Sequence, residues 1–200
     1  MNTTVGILGY QGCIEPHEAI FQSLGVACKR VRSVEDLSSV DRLILPGGES
    51  STMLRFLKLN EMMEPIRAFA ATHPVWGICA GAILLAAKVT NPDQDSLQLM
   101  DITAHRNFYG PQTDLFSTPV YVDILERRID AQFIRAPLLA AGAQRSGAAP
   151  LVTLARLEDQ PIFFAQGHLW ACSFHVELGT DPALHEAFVR LETAGKPLSR

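Results

Sequence analysis

Apolar positions in the first eighty residues fall into short continuous runs, each followed by a glycine turn or an amphipathic stretch. Thr4-Val5-Gly6-Ile7-Leu8-Gly9 is the first run, and the segment from Pro16 through Leu24, stopped by Gly25, has helical spacing. The pattern predicts a strand and then a helix. Val26 to Val31 and Arg42 to Leu45 read as the second and third strands, with a short helical piece at Val34-Glu35-Asp36-Leu37 between them. Met53 to Leu59 and Met62 to Ala71 read as helices, Val75-Trp76-Gly77-Ile78 as a fourth strand, and Ala82 to Ala87 as a further helix. Strands apolar on both faces that alternate with helices predict a three-layer α/β fold, a mostly parallel sheet with helices on both faces.

The middle of the chain changes character. From Leu97 to Val122 the helical period gives way to short β-like pieces with turns at Tyr109-Gly110-Pro111 and Ser117-Thr118-Pro119, and Phe133 to Pro137 reads as a strand stopped by its proline. Leu151 to Leu157 and Pro161 to Ala165 flank Glu158-Asp159-Gln160, which predicts a hairpin. Trp170 to His175 returns to the core as a strand, and Pro182 to Leu191 is a closing helix. Gln144 to Pro150 is loop-like but too short for an interdomain linker, so one domain over residues 1–200 is expected.

Composition narrows the function classes. A 200-residue chain that is 48% hydrophobic can bury a substantial core. The net charge of -4, with no Lys/Arg run longer than a pair, speaks against nucleic acid as the partner. The longest apolar stretches, such as Ala80 to Val89, fall well below the roughly 20 residues that span a bilayer, and the N-terminus has no basic signal-peptide region. Four cysteines without framework or zinc spacing suit a reducing compartment, so a cytoplasmic location without membrane contact is expected.

The candidate chemistry centres on Cys79 in Gly77-Ile78-Cys79-Ala80-Gly81, a thiol on a strand-to-helix corner. Glycines let such a turn tighten until the central side chain projects above the sheet, and the following helix N-terminus offers backbone N–H groups to a developing oxyanion. Close to a hundred residues later, strand alternation in Cys172-Ser173-Phe174-His175-Val176-Glu177 places His175 and Glu177 on one face. A base and its orienting carboxylate are thus available, which suggests a Cys-His-Glu triad. A lone Gly-x-Cys-x-Gly or a lone histidine is more often structural; the combination carries the reading. Cys13, Cys28 and Cys172 read as structural. His17, His73, His105, His168 and His185 show no metal-ligand spacing and read as surface or structural.

Other positions gain meaning from where they lie. The Pro46-Gly47-Gly48-Glu49-Ser50 loop and Gln11 both follow strands, so they share the carboxyl edge of the sheet with Cys79, where parallel folds bind ligands. Arg106 and Arg135 are single cations in mostly uncharged surroundings, either solvated or clamps for a carboxylate or phosphate.

Taken together, Gly9-Tyr10-Gln11-Gly12, Leu45 to Met53, Gly77 to Gly81, Arg106 to Gly110, Phe133 to Pro137 and Cys172 to Glu177 resemble the class I (triad-type) glutamine amidotransferases, most nearly the glutaminase subunits of pyridoxal 5'-phosphate synthase. The likeness runs almost end to end and implies a flavodoxin-like sheet. It also implies Cys79 as nucleophile, His175 as general base and acid, and Glu177 as its orienter. Gly47, Gly48, Glu49 and Ser50 would surround L-glutamine, with Arg106, Ile134 and Arg135 completing the pocket and backbone amides near Gly48 and Ala80 as oxyanion donors. Gln11 would lie at the interface with a (β/α)8-barrel synthase subunit that receives the ammonia. No metal or organic cofactor is implied. Val176, Ile78 and Pro111 stand where the family usually has proline, threonine and arginine, and valine keeps the extended spacing from His175 to Glu177. The rival readings are a glutaminase subunit serving purine or histidine biosynthesis and a non-catalytic flavodoxin-like regulatory protein.

Overall fold

The computed structural model describes residues 3–106 and 115–192. Its first half follows the expected alternation: β1 (Thr4–Leu8), α1 (Ile14–Ser23), β2 (Ala27–Val31), α2 (Val34–Ser38), β3 (Arg42–Leu45), α3 (Ser50–Leu59), α4 (Met63–Ala70), β4 (Val75–Ile78) and α5 (Ala80–Leu85). β5 (Ala86–Thr90), β6 (Met100–His105), β7 (Phe116–Val122), β8 (Arg127–Phe133), β9 (Leu138–Ala141), β10 (Leu151–Leu157), β11 (Gln160–Gln166), β12 (Leu169–Cys172) and α6 (Ala183–Arg190) follow, with a short 3-10 turn at Asp123–Leu125.

Nine strands form one sheet in the order β2-β1-β3-β4-β12-β11-β10-β7-β8. The pairings from β2 to β12 are parallel and those from β12 to β8 antiparallel, so the sheet is parallel where Cys79 emerges and mixed overall. Side-chain alternation splits the central strands between two cores. Leu43, Leu45 and Val75 point into a layer with α3, α4 and α5, while Ile44, Trp76 and Ile78 point into a layer with α1 and α6. Each central strand is therefore buried on both faces, which is why its sequence is continuously apolar.

Four local expectations change. The helix expected over Ala82 to Ala87 is α5, which begins at Ala80 and ends at Leu85; from Ala86 the chain pairs with β6, an attraction that helix-favouring alanines cannot signal. Ser117-Thr118-Pro119 is not a turn but part of β7, where proline is tolerated because β10 reaches β7 only at Val122. Phe133 ends a strand rather than starting one, and Ile134-Arg135 bend before Pro137. The strand expected to reach His175 stops at Cys172. The turn expected at Tyr109-Gly110-Pro111 lies outside the described residues. The β10–β11 hairpin and the closing helix are as expected.

A second sheet, β5-β6-β9, packs its apolar side chains into the core layer of α3, α4 and α5 and is fixed to the large sheet through Asp101. This residue on β6 is buried, its carboxylate accepts from Gln166 Nε2 at 2.7 Å and from the backbone N–H and guanidinium of Arg145, and its own N–H donates to Gln166 Oε1 at 2.7 Å. Burial alone would raise the Asp101 carboxyl, but these donors outweigh it and hold it below the ordinary carboxylate range. β6 leads to Arg106 and β9 follows Arg135, so this anchor also places both arginines.

A carboxyl held low in the folded state adds stability that is complete above its unfolded value and lost as pH falls through its folded one. Asp101→Asn should therefore lower stability at neutral pH by about 1–3 kcal/mol. It should also flatten the decline below about pH 4, read from urea unfolding as a function of pH. An unchanged acid limb would remove Asp101 from this role.

Candidate active site

Cys79 closes β4 and caps α5 in a backbone conformation of φ 48° and ψ -100°, outside the regions open to most L-residues. Two contacts hold it there. Its N–H donates to Cys172 O at 2.8 Å, across the β4–β12 pairing, and α5 presses on β3 so closely that a Cβ on Gly81 would lie 1.9 Å from Leu45 O. Gly81 is thus required by close approach, and the thiol is carried above the sheet edge.

Because Ile78 and Cys172 are register partners on adjacent parallel strands, the chain after each leaves the same edge. His175 arrives three residues past β12 and is fastened there by its own N–H to Gln132 O at 2.7 Å, while Gln132 Nε2 donates to Leu178 O at 2.9 Å. His175 Nδ1 pairs with Glu177 Oε1 at 2.7 Å, and both side chains are buried. The expected partnership of His175 and Glu177 is present, but it comes from a segment strapped to β8 rather than from strand alternation. Gln132 is invisible to a reading of the sequence, since an amide inside an ordinary strand carries no local signal.

The remaining residues close around this pair. Gly47 lies flat against the imidazole: a Cβ there would come within 2.3 Å of His175 Cε1. Gln11 Oε1 accepts from Glu49 N–H at 2.9 Å, which fixes the glycine loop beside the thiol. A cavity of about 270 Å3 is lined by Gln11, Cys13, Gly48, Glu49, Ser50, Cys79, Arg106, Ile134, Arg135 and His175 among others. Of the residues expected from sequence, Gly47 packs under His175 and Glu177 stands behind it, and all the rest line the cavity. Arg106 reaches Glu49 Oε1 at 3.3 Å, so its carboxylate partner here is the loop itself.

Cys13 departs from its structural reading. It lines the cavity, and its sulfur, a ring nitrogen of His175 and a carboxylate oxygen of Glu177 lie within 4.8 Å of one another. These are zinc-type donors, yet Nδ1 and Oε1 are already bonded to each other, so an ion there would have to break the contact that orients the imidazole. The thiols of Cys172 and Cys28, read as structural, are pushed up by burial. Burial disfavours charge on His175, but Cys13, Cys79 and Glu177 outweigh it and push its pKa up to about 12. Burial likewise opposes charge on Glu177, and the contact with His175 and the nearby His17 hold its pKa below the ordinary value. His17 and His185, read as surface or structural, are fully buried, His17 next to Glu177 and His185 next to His17.

A parallel sheet edge that presents a thiol corner opposite a His–Glu pair is the architecture of the class I glutamine amidotransferases. A crystal structure described as a glutamine amidotransferase superposes with a TM-score of 0.86 at 34% identity, covering 94% of this chain and 97% of that one. PurLQS from Thermotoga maritima shares the fold at a TM-score of 0.63 and 13% identity, covering 95% and 99% of the two chains. The model of the SNO glutamine amidotransferase family matches residues 7–193, and the chain belongs to that family. Among similar proteins, the pyridoxal 5'-phosphate synthase subunit PdxT of Herpetosiphon aurantiacus is 46% identical over 94% of this chain and 100% of its own length. The PdxT of Halalkalibacterium halodurans is 38% identical over 98% of both chains.

The corner makes a prediction about stability. Positive φ strains a residue that carries a Cβ by about 1–3 kcal/mol, while glycine adds about 0.4–1 kcal/mol of unfolded-state entropy. Cys79→Gly should therefore unfold at higher denaturant than Cys79→Ala, although inside a helix glycine is the less stable of the two. Equal or inverted midpoints would mean that the corner is not strained.

Proposed function

We propose that this chain is a one-domain cytoplasmic glutaminase that hydrolyses L-glutamine to L-glutamate and ammonia. The ammonia passes to the (β/α)8-barrel component of pyridoxal 5'-phosphate synthase. The observation that carries the reading is the strained Cys79 corner sharing one cavity with His175, whose Nδ1 is bonded to Glu177 behind it. Relatives at 35–46% identity over nearly the full chain bear the PdxT name, which favours vitamin B6 synthesis over the purine branch, where the likeness is one of fold.

In this mechanism the Cys79 sulfur attacks the side-chain carbonyl carbon of glutamine, and the oxyanion is received by backbone N–H groups near Gly48 and Ala80. His175 gives its proton to the departing amine, ammonia leaves, and a thioester remains. The cysteine sulfurs help to keep that proton on His175. Once Cys79 is acylated its share of this effect is gone, so the imidazole can take a proton from water, which attacks the thioester and frees glutamate and the thiol. Glu177 orients the imidazole through Nδ1. Gly47, Gly48, Glu49 and Ser50 border the substrate, Arg106, Ile134 and Arg135 complete its pocket, and Gln11 lies toward the synthase partner.

Cys79→Ala should abolish glutamate release from glutamine while the far-ultraviolet circular dichroism spectrum stays that of wild type. Retained turnover would sink the assignment of the nucleophile. The second expectation concerns coupling. Glutamate production should be low for the isolated chain and rise when the cognate barrel protein is added, because docking can favour a donor-competent arrangement of the Gly47–Gly48 loop. Equal rates at saturating barrel protein, shown to be folded by its ammonia-supported synthase activity, would rule out activation by docking.

A further inference from the structure

On the side of Glu177 away from His175, two histidines sit in the helix layer. His17 on α1 and His185 on α6 are fully buried, with His17 Nδ1 and His185 Nε2 2.8 Å apart and His17 Nε2 3.9 Å from Glu177 Oε2. Their buried neighbours on the same helices are Ile14, Phe21, Leu184 and Phe188, so both occupy positions that the helical pattern assigns to apolar side chains. A polar ring there costs stability unless its nitrogens are satisfied. Among the described residues, His17 Nε2, His185 Nδ1 and Glu177 Oε2 have no hydrogen-bond partner. Apolar side chains at both positions would fill them without that cost, so the pair calls for a reason other than packing.

The arrangement selects one set of protons. Burial pushes the pKa of both His17 and His185 down to about 3, so each ring is neutral and carries a single N–H. If His17 were protonated on Nδ1, its Nε2 lone pair would face a carboxylate. The favourable alternative has Nε2–H of His17 aimed at Glu177 Oε2 and Nδ1 of His17 accepting from Nε2–H of His185, which leaves His185 Nδ1 bare. At 3.9 Å the Nε2 contact is a dipole facing a charge rather than a hydrogen bond, of the kind that tightens when an active site closes on its substrate.

We infer that His17 is a positioning residue, locked in its tautomer by His185, that holds the second oxygen of the Glu177 carboxylate and so keeps the first aimed at His175. The inference rests on the glutaminase reading and extends it by two groups. The other titratable groups around this line are Cys13 and Cys79 beside His175 and Cys172 on β12 near Glu177.

The test uses the full chain in complex with its cognate barrel protein. Glutamate release is measured for wild type, His17→Leu, His17→Gln and His185→Phe, with the melting temperature of each. His17→Leu should stay folded with a melting temperature modestly below that of wild type, since it leaves the Nε2–H of His185 without an acceptor. Its kcat should nevertheless fall about tenfold or more, the order seen when a partner that orients a functional imidazole is removed, with KM little changed. Without the Nε2–H dipole the carboxylate holds its proton more firmly, so the acidic limb of the kcat profile should move to higher pH. His17→Gln, which returns an N–H donor toward Glu177, should recover part of kcat, and His185→Phe should fall in between. Wild-type kcat and pH profile in His17→Leu, beside an active wild type, would overturn this inference and leave the glutaminase reading standing. If His17→Leu fails to fold, an unchanged kcat and pH profile in His185→Phe would overturn it instead. A wild-type complex that releases no glutamate would overturn both.

Discussion

The parallel pairing of β4 with β12 is the constraint on which the site depends. It places Ile78 and Cys172 side by side, and the Cys79 N–H to Cys172 O bond continues the ladder one step past the end of both strands. The thiol and the imidazole therefore leave one sheet edge from adjacent strands although they are far apart in the chain. Everything else at the site adjusts around that step: Gly81 lets α5 start against β3, Gly47 lets its loop lie on the imidazole, and Gln132 straps the segment that carries His175 and Glu177.

The site concentrates features that a stability-driven sequence would avoid. Cys79 holds a positive φ with a Cβ, Glu177 is a buried carboxylate, and two histidines stand in apolar helix positions behind it. Strain and buried polarity of this sort survive only where the surroundings over-determine them. Those surroundings are the double-sided core: β3 and β4 are buried on both faces, and Trp76 packs against His185, Trp170 and Phe188. The small sheet contributes through Asp101, which fixes the strands leading to Arg106 and away from Arg135.

Membership in the SNO glutamine amidotransferase family and the superposition on a solved glutamine amidotransferase are findings about the whole chain. They do not depend on the role of any single residue. Val176, where the family usually has proline, is buried in the core layer beneath α1 and α6, and its neighbours His175 and Glu177 remain in contact. Among the described residues no helix is long and apolar enough to cross a membrane.

Local pattern alone determined the β-α alternation of the first half, the β10–β11 hairpin, the closing helix and the candidate set around Cys79, His175 and Glu177. In each case the determining signal was a period, a glycine or a motif within a few residues. Tertiary structure decided what depends on partners distant in sequence. Ala86 becomes a strand because β6 is beside it, His175 leaves the line of β12 because its N–H pairs with Gln132 on β8, and Pro119 lies within a strand because one side of β7 is open there. The same holds for Cys13 and for His17 and His185. Nothing within a few residues of them tells that α1 begins at the mouth of the site and that α6 folds back over it, and only the packing of those helices on one face of the sheet brings a second thiol to His175, the His17 imidazole to Glu177 and His185 to His17.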